Sequence, residues 1–178
     1  MSFLFRPCNF EMDYDAYVKF LVKHQGELNL PYPFAVKFSF ISSPLLFGKG
    51  LLVFSEDPYQ IVGAFGFVYG TGAGEYEDRH ICQVETAFLL PAYRSSSLFA
   101  KTLLFLVKEI KAGNPDVETI QFWAAADCGG LEGIISRMRH IPSSKQLPVN
   151  DLVCHQAPFR DVHLFAERFE NRFRDAFE

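Results

Sequence analysis

Long apolar runs are missing from this sequence: none approaches the roughly 18 residues that a membrane-spanning helix needs. A basic excess is missing too. Seventeen Lys and Arg stand against twenty-one Asp and Glu, a formal net charge of −4, which argues against the positive surface that nucleic acid demands. Cysteine is sparse and unpatterned. Cys8, Cys82, Cys128 and Cys154 show no C-x-x-C spacing, so free, buried thiols in a reducing compartment are expected. His24, His80, His140, His155 and His163 have no ligand spacing with cysteine or carboxylate. Cys154 and His155 are adjacent, which points them to opposite faces of a strand. No metal is expected. There is no internal repeat and no low-complexity segment. The opening MSFLFRPCNFEMDYD lacks the cationic end and long apolar middle of a signal peptide. The expectation is a soluble cytoplasmic protein without nucleic-acid or membrane partners.

What is present is a chain of 178 residues, 49% hydrophobic and 21% charged, enough for one packed domain with a small appendage. Its twenty phenylalanines imply a bulky core or a pocket lined with rings. Residues 2–8 read as a strand. Residues 13–28 read as a helix, with Tyr17, Phe20 and Leu21 at helical spacing and Asp13 or Asp15 near its start. Residues 35–50 are ambiguous between a short helix and a loop. Residues 51–56 and 60–70 form two strands turning at Asp57-Pro58, and 80–90 a third. Helix 97–111, strand 118–126, helix 127–140 with Asp127 as its cap, and strand 150–156 follow. The segment 141–148 reads as a loop. In the tail, Phe159, Val162, Phe165, Phe169, Phe173 and Phe177 recur at helical spacing, giving an amphipathic helix over 158–178 that packs on the domain of residues 1–157 or forms a dimer contact. The order predicts an α+β, three-layer fold with a mixed, mostly antiparallel sheet flanked by helices.

Two places carry chemistry. In the third strand, strict alternation puts Cys82, Val84, Thr86, Phe88 and Leu90 on one face, and Gln83 and Glu85 together on the other. An acid and an amide side by side either line a cleft or sit at a solvated edge. The second place is the junction LPAYRSSSLFAKTLLFLVKEIK (90–111). Arg94 and three serines stand where a strand becomes a helix. Ser95, Ser96 or Ser97 can cap the helix. Equally, the unpaired first amides, the dipole and a forked guanidinium make an anion site.

With its preceding strand, this block resembles the central motif of the GNAT superfamily of acyl-CoA-dependent N-acyltransferases. Pro91, Tyr93 and Arg94 match its strand-ending turn. Arg94 takes the first position of its Arg/Gln-x-x-Gly-x-Gly/Ala loop, Ser97 stands for the first glycine and Phe99 for the second. The element order of residues 2–140 is similar as well. Beyond 140 the fit loosens, with one short strand before the tail helix where the family usually has two strands. At the place of the family's tyrosine general acid stands Ile135 or Ser136.

The resemblance implies transfer of an acetyl or other acyl group from coenzyme A to a primary amine, carried by a small molecule or a peptide. It implies Glu85 as general base, through water where needed, beside Gln83. It implies a backbone amide near Phe88 or Leu89 polarising the thioester oxygen, the diphosphate on Arg94, Ser95, Ser96, Ser97, Leu98 and Phe99, and Asp127 or Cys128 near the thiol. Glu75, Glu77 and Asp78 compete with Glu85 for the base. Two other readings stay open: a non-catalytic acyl-CoA-binding module, and a protein-interaction domain working through the tail helix.

Overall fold

The computed structural model describes residues 1–28, 30–127 and 132–174, without the side chains of Glu132, Ile134 and Arg174. The elements run β1 (Phe3–Pro7), α1 (Glu11–Lys23), α2 (Phe34–Phe47), β2 (Gly48–Glu56), β3 (Tyr59–Tyr69), β4 (Ile81–Leu89), α3 (Ser96–Gly113), β5 (Thr119–Ala125), α4 (Glu132–Met138), β6 (Lys145–Val149), β7 (Leu152–Pro158) and α5 (Phe159–Arg174). The described strands form one sheet of seven in the order β1-β2-β3-β4-β5-β7-β6. Every neighbouring pair is antiparallel except β4 and β5, which run parallel because α3 carries the chain back between them. This is the mixed, mostly antiparallel architecture that the sequence order implies.

Helices cover both faces. On one, α1 and α2 bury Tyr17, Phe20, Leu21 and Ile41 against Leu52, Phe54, Ala64 and Phe88. On the other, α3 and α5 bury Leu98, Leu106, Ile110, Val162 and Ala166 against Leu51, Val53, Phe65 and Phe67. The tail helix therefore belongs to the main core. Helix α1 starts where the Asp13 carboxylate accepts the amides of Asn9 and Phe10, both at 3.2 Å, satisfying donors that have no partner inside the helix.

Helix α2 resolves the ambiguous stretch 35–50. It is apolar on nearly every side, so it shows no helical period. Ile41 and Pro44 are buried, while Phe34, Val36, Phe38 and Leu46 remain exposed. One strand was not anticipated. Residues 145–149, with 145–148 expected as loop, form β6, so two strands precede α5. The strand was hidden because all five of its residues are exposed and one is Pro148, a residue that edge strands tolerate. The expected cap Asp127 lies in a turn ahead of the undescribed residues 128–131, and α4 is described only from Glu132.

The alternation expected for β4 is also corrected. Along β3, Gly66 pairs with Thr86 and the next residue, Phe67, pairs with Val84. Glu85 is thus the extra residue of a β-bulge, and the facing of everything after it is reversed. Cys82 packs beneath α3, but Phe88 packs beneath α1 and α2. The Thr86 hydroxyl meets the Tyr17 hydroxyl of α1 at 3.0 Å.

Candidate functional site

The bulge coincides with a split in the sheet. Strands β4 and β5 are paired from Ile81–Thr119 to Val84–Phe122 and no further, although both run on. A cavity of about 140 Å3 occupies the gap. Its walls are Val84, Glu85, Thr86 and Ala87 of β4, Phe122 and Trp123 of β5, the stripe Phe99, Thr102, Leu103 and Leu106 of α3, and Val162 and Phe165 of α5. A second cavity, about 480 Å3, lies on the α2 side, between residues 30–32, Phe40, residues 83–85 of β4, the last residues of β5, and the β6–β7 turn. Leu30, Val84, Glu85 and Trp123 border both. Of the two readings left open for the acid and the amide, the cleft is the one observed.

Glu85 is held by a relay of amides crossing three strands. The Gln156 amide (β7) donates to Gln121 Oε1 (β5) at 2.7 Å. Gln121 donates to Gln83 Oε1 at 2.7 Å, and the Trp123 indole N–H donates to the same oxygen at 3.3 Å. With its oxygen taken twice, Gln83 must turn its NH2 outward, and it donates to Glu85 Oε1 at 3.2 Å. Burial pushes the Glu85 carboxyl up to about 7, against the lowering effect of the Gln83 hydrogen bond. A carboxyl with such a pKa beside a cavity suits proton transfer near neutral pH. The competing acids are differently placed. Asp78 accepts from the Thr71 amide at 2.7 Å and its hydroxyl at 2.6 Å, and neither it nor Glu75 or Glu77 borders either cavity.

The sign of the Gln83 contact gives a prediction. Gln83→Leu removes a donor that favours the ionised carboxylate, so the pKa of Glu85 rises. The midpoint of any activity-versus-pH profile is expected to move to higher pH, read from initial rates between pH 5.5 and 9.

At the α3 junction, Ser95 is the cap: its Oγ accepts the Leu98 amide at 3.2 Å. The Ser96 and Ser97 amides have no hydrogen-bond partner among the described residues. Arg94 is pinned by its Nε, which donates to Leu89 O at 2.9 Å, and its guanidinium sits 5.5 Å from the Phe88 ring centre. Arg94 is exposed, and its Nη groups have no hydrogen-bond partner among the described residues. A second guanidinium arrives from α4. Arg137 Nη2 donates to Ser96 Oγ at 2.8 Å, and the group lies 5.1 Å from the Phe169 ring centre and 5.8 Å from that of Phe99. Phe99 itself turns toward α5, its ring 6.2 Å from Phe169, and forms part of the cavity wall rather than closing the gap between β4 and β5. The helix end, its free amides and Arg137 form one set of anion donors, while the Arg94 guanidinium lies over Phe88, which packs beneath α1 and α2.

Other expected residues fall outside this assembly. The Phe88 and Leu89 side chains are buried, one on each face of the sheet, and the first cavity meets β4 at 84–87 instead. The Leu98 side chain is core. Asp127 is exposed and borders neither cavity, and Cys128 lies outside the described residues. Three thiols are buried. Burial pushes Cys8 up to about 12 and Cys154 up to about 11, and it raises Cys82 as well, so none of these is a ready nucleophile. Among the described residues no group of His, Cys, Asp and Glu is placed to hold a metal ion, and no helix is long and apolar enough to cross a membrane. The sequence reading missed Arg137, Trp123, Tyr32, Phe40 and Asp151. The first reaches Ser96 only through packing of α4 and α5 on α3, and the others meet only in the folded chain.

No protein-family model and no curated protein matches the chain, but solved structures do. An acetyltransferase of the GNAT family from Staphylococcus aureus superposes with a TM-score of 0.63, covering 89% of this chain and 99% of its own, at 14% identity. One from Streptococcus pneumoniae gives 0.57, with 88% and 99% covered, at 14% identity. The chain has the GNAT fold. YncA of Salmonella typhimurium, assigned as an acetyltransferase and solved with its cofactor acetyl-CoA, gives 0.57 over 89% of this chain and 95% of its own, at 12% identity. Identities this low speak for the GNAT fold alone. What the site does rests on the groups around Glu85 and the start of α3.

Proposed function

We propose that the protein is an acyl-CoA-dependent N-acyltransferase that moves an acetyl or other acyl group directly to a primary amine. The observation that carries this is the position of Glu85. A half-buried carboxyl with a pKa of about 7 stands on the border of two cavities, one beneath α3 and α5 and the other toward α2. A reaction between two ligands needs such a meeting point.

The first cavity and the start of α3 fit coenzyme A in kind, although of the polar groups at that helix end Arg137 alone lines the cavity. Arg94, Arg137 and the Ser96 and Ser97 amides supply donors for a diphosphate. The unpaired stretch of β4 and the apolar wall suit an extended, largely uncharged arm. The bound thioester would supply an activated acyl carbon and a thiolate leaving group. The chain supplies the rest. Glu85, as carboxylate, takes the proton that the amine loses as its nitrogen bonds to the acyl carbon and the carbon–sulfur bond breaks. Gln83, locked by Gln121 and Trp123, holds that carboxylate in one orientation.

The test is calorimetric titration with acetyl-CoA, followed by thiol release on adding an amine. Binding with release supports the proposal. Binding without release from any amine reduces it to a coenzyme-binding module, and absence of binding removes it. Within that titration, Arg94→Glu is expected to weaken coenzyme A by about 1–3 kcal/mol, the range for charge-assisted contacts. Unchanged affinity takes Arg94 out of the site.

A further inference from the structure

The second cavity carries information about the acceptor, an inference that rests on the acyltransferase reading for the ligand's role but not for its binding. Its charged lining is of one sign. Glu85 and Asp151 border it, and among the described lining residues there is no Lys, Arg or His. Two carboxylates without a cation favour a positively charged ligand and penalise an anionic one, which would lose water and gain repulsion.

Apart from the Gln83 and Asn150 amides, the remaining side chains of the wall are hydrocarbon and ring. The Tyr32 and Phe40 rings stack with centres 5.6 Å apart and planes 24° from parallel. Trp123 of β5 lines the cavity as well, and because its N–H is spent on Gln83, its indole has no donor left to offer. Such faces attract an organic cation and its apolar body together. Beyond the two acids the wall offers no charged partner, so a triamine such as spermidine would leave an ammonium unpaired and an amino acid its carboxylate. The volume, about 480 Å3, falls within the range of small-molecule sites, roughly 300–1,000 Å3.

We infer that this cavity binds the acceptor, and that the acceptor is a small primary monoamine on an aromatic or branched aliphatic body, held between Tyr32, Phe40 and Trp123 with its nitrogen turned toward Glu85. Asp151, at the β6–β7 turn, contributes the charge that draws the cation in.

The sequence holds a single tryptophan; Trp123 borders both cavities, so its emission reports binding and the Phe40 and Asp151 variants assign that binding to the second cavity. The intact protein is titrated with 2-phenylethylamine in the absence of any coenzyme, following emission and, in parallel, heat. Saturable binding is expected, at least ten-fold tighter than for spermidine, lysine or the uncharged 2-phenylethanol. Phe40→Ala and Asp151→Asn are each expected to weaken it roughly 3- to 10-fold. Asp151→Asn replaces an exposed turn side chain by its isostere, so it stands even where Phe40→Ala disturbs the fold. Absence of saturable binding by both readouts overturns the inference, and so does equal affinity for 2-phenylethanol or spermidine. The two proposals fail separately. Amine binding without thiol release from acetyl-CoA leaves this site standing and removes the transferase. Turnover of lysine or spermidine but not of 2-phenylethylamine does the reverse.

Discussion

Glu85→Gln is expected to lower turnover roughly 100- to 10,000-fold, the usual contribution of a positioned general base, while coenzyme A still binds. The substitution preserves shape and the approach of Gln83 but removes the proton acceptor. The pH profile makes the test specific. Burial raises the Glu85 pKa to about 7, so the acid form, which cannot accept a proton, dominates below that value. The rate of the unmodified protein therefore rises as pH passes through about 7 and levels above it. In the glutamine variant the residual rate should lose that step. A variant that keeps both rate and profile would move the base to another group.

The second large effect lies in the core behind the acid. Gly66→Val is expected to destabilise the fold by about 3 kcal/mol, the upper part of the range for overpacking, lowering the melting temperature by about 6–12 °C for a chain of this size. A Cβ at Gly66 would run into the Tyr17 hydroxyl and come within 2.7 Å of Pro44 Cγ and 2.8 Å of Thr86 Oγ1. None of these yields easily. Tyr17 is fully enclosed, Pro44 is part of α2, and Thr86 follows the bulged residue. Glycine at 66 thus lets α1, α2 and the bulge close on one another. Activity should fall further than stability alone explains, because the added carbons push on the residue next to Glu85. Thermal melting beside initial rates separates the two, and a variant that melts with the parent protein would show that the three neighbours have slack.

Much of this was legible in the chain. The junction at Pro91–Ser97, the hairpin at Asp57-Pro58 and the amphipathic tail each rest on local rules: a proline, a turn pair, a repeat of phenylalanines. Glu85 beside Gln83 was visible for the same reason, since residues two apart share a face. Three things were not legible, for a common cause. The bulge at Glu85 is a fact about two strands, and period-two reasoning treats one strand alone. Strand β6 exists because β7 offers it a partner, not because Lys145–Val149 favour extension. The pKa of Glu85 and the position of Arg137 are set by what α3, α5 and β5 bring to them. Helix α2 is the remaining case: a segment apolar on all sides has no period to read.

The parting of β4 from β5 has a consequence for how two ligands share the molecule. One cavity lies beneath α3 and α5 and the other beside α2, and they touch only along a narrow band that includes Glu85. If the proposed coenzyme and amine take one cavity each, the layout predicts a ternary complex that assembles in either order, which product-inhibition kinetics would read. The same layout admits a single tethered molecule, half coenzyme and half amine, threaded through the sheet at the seam.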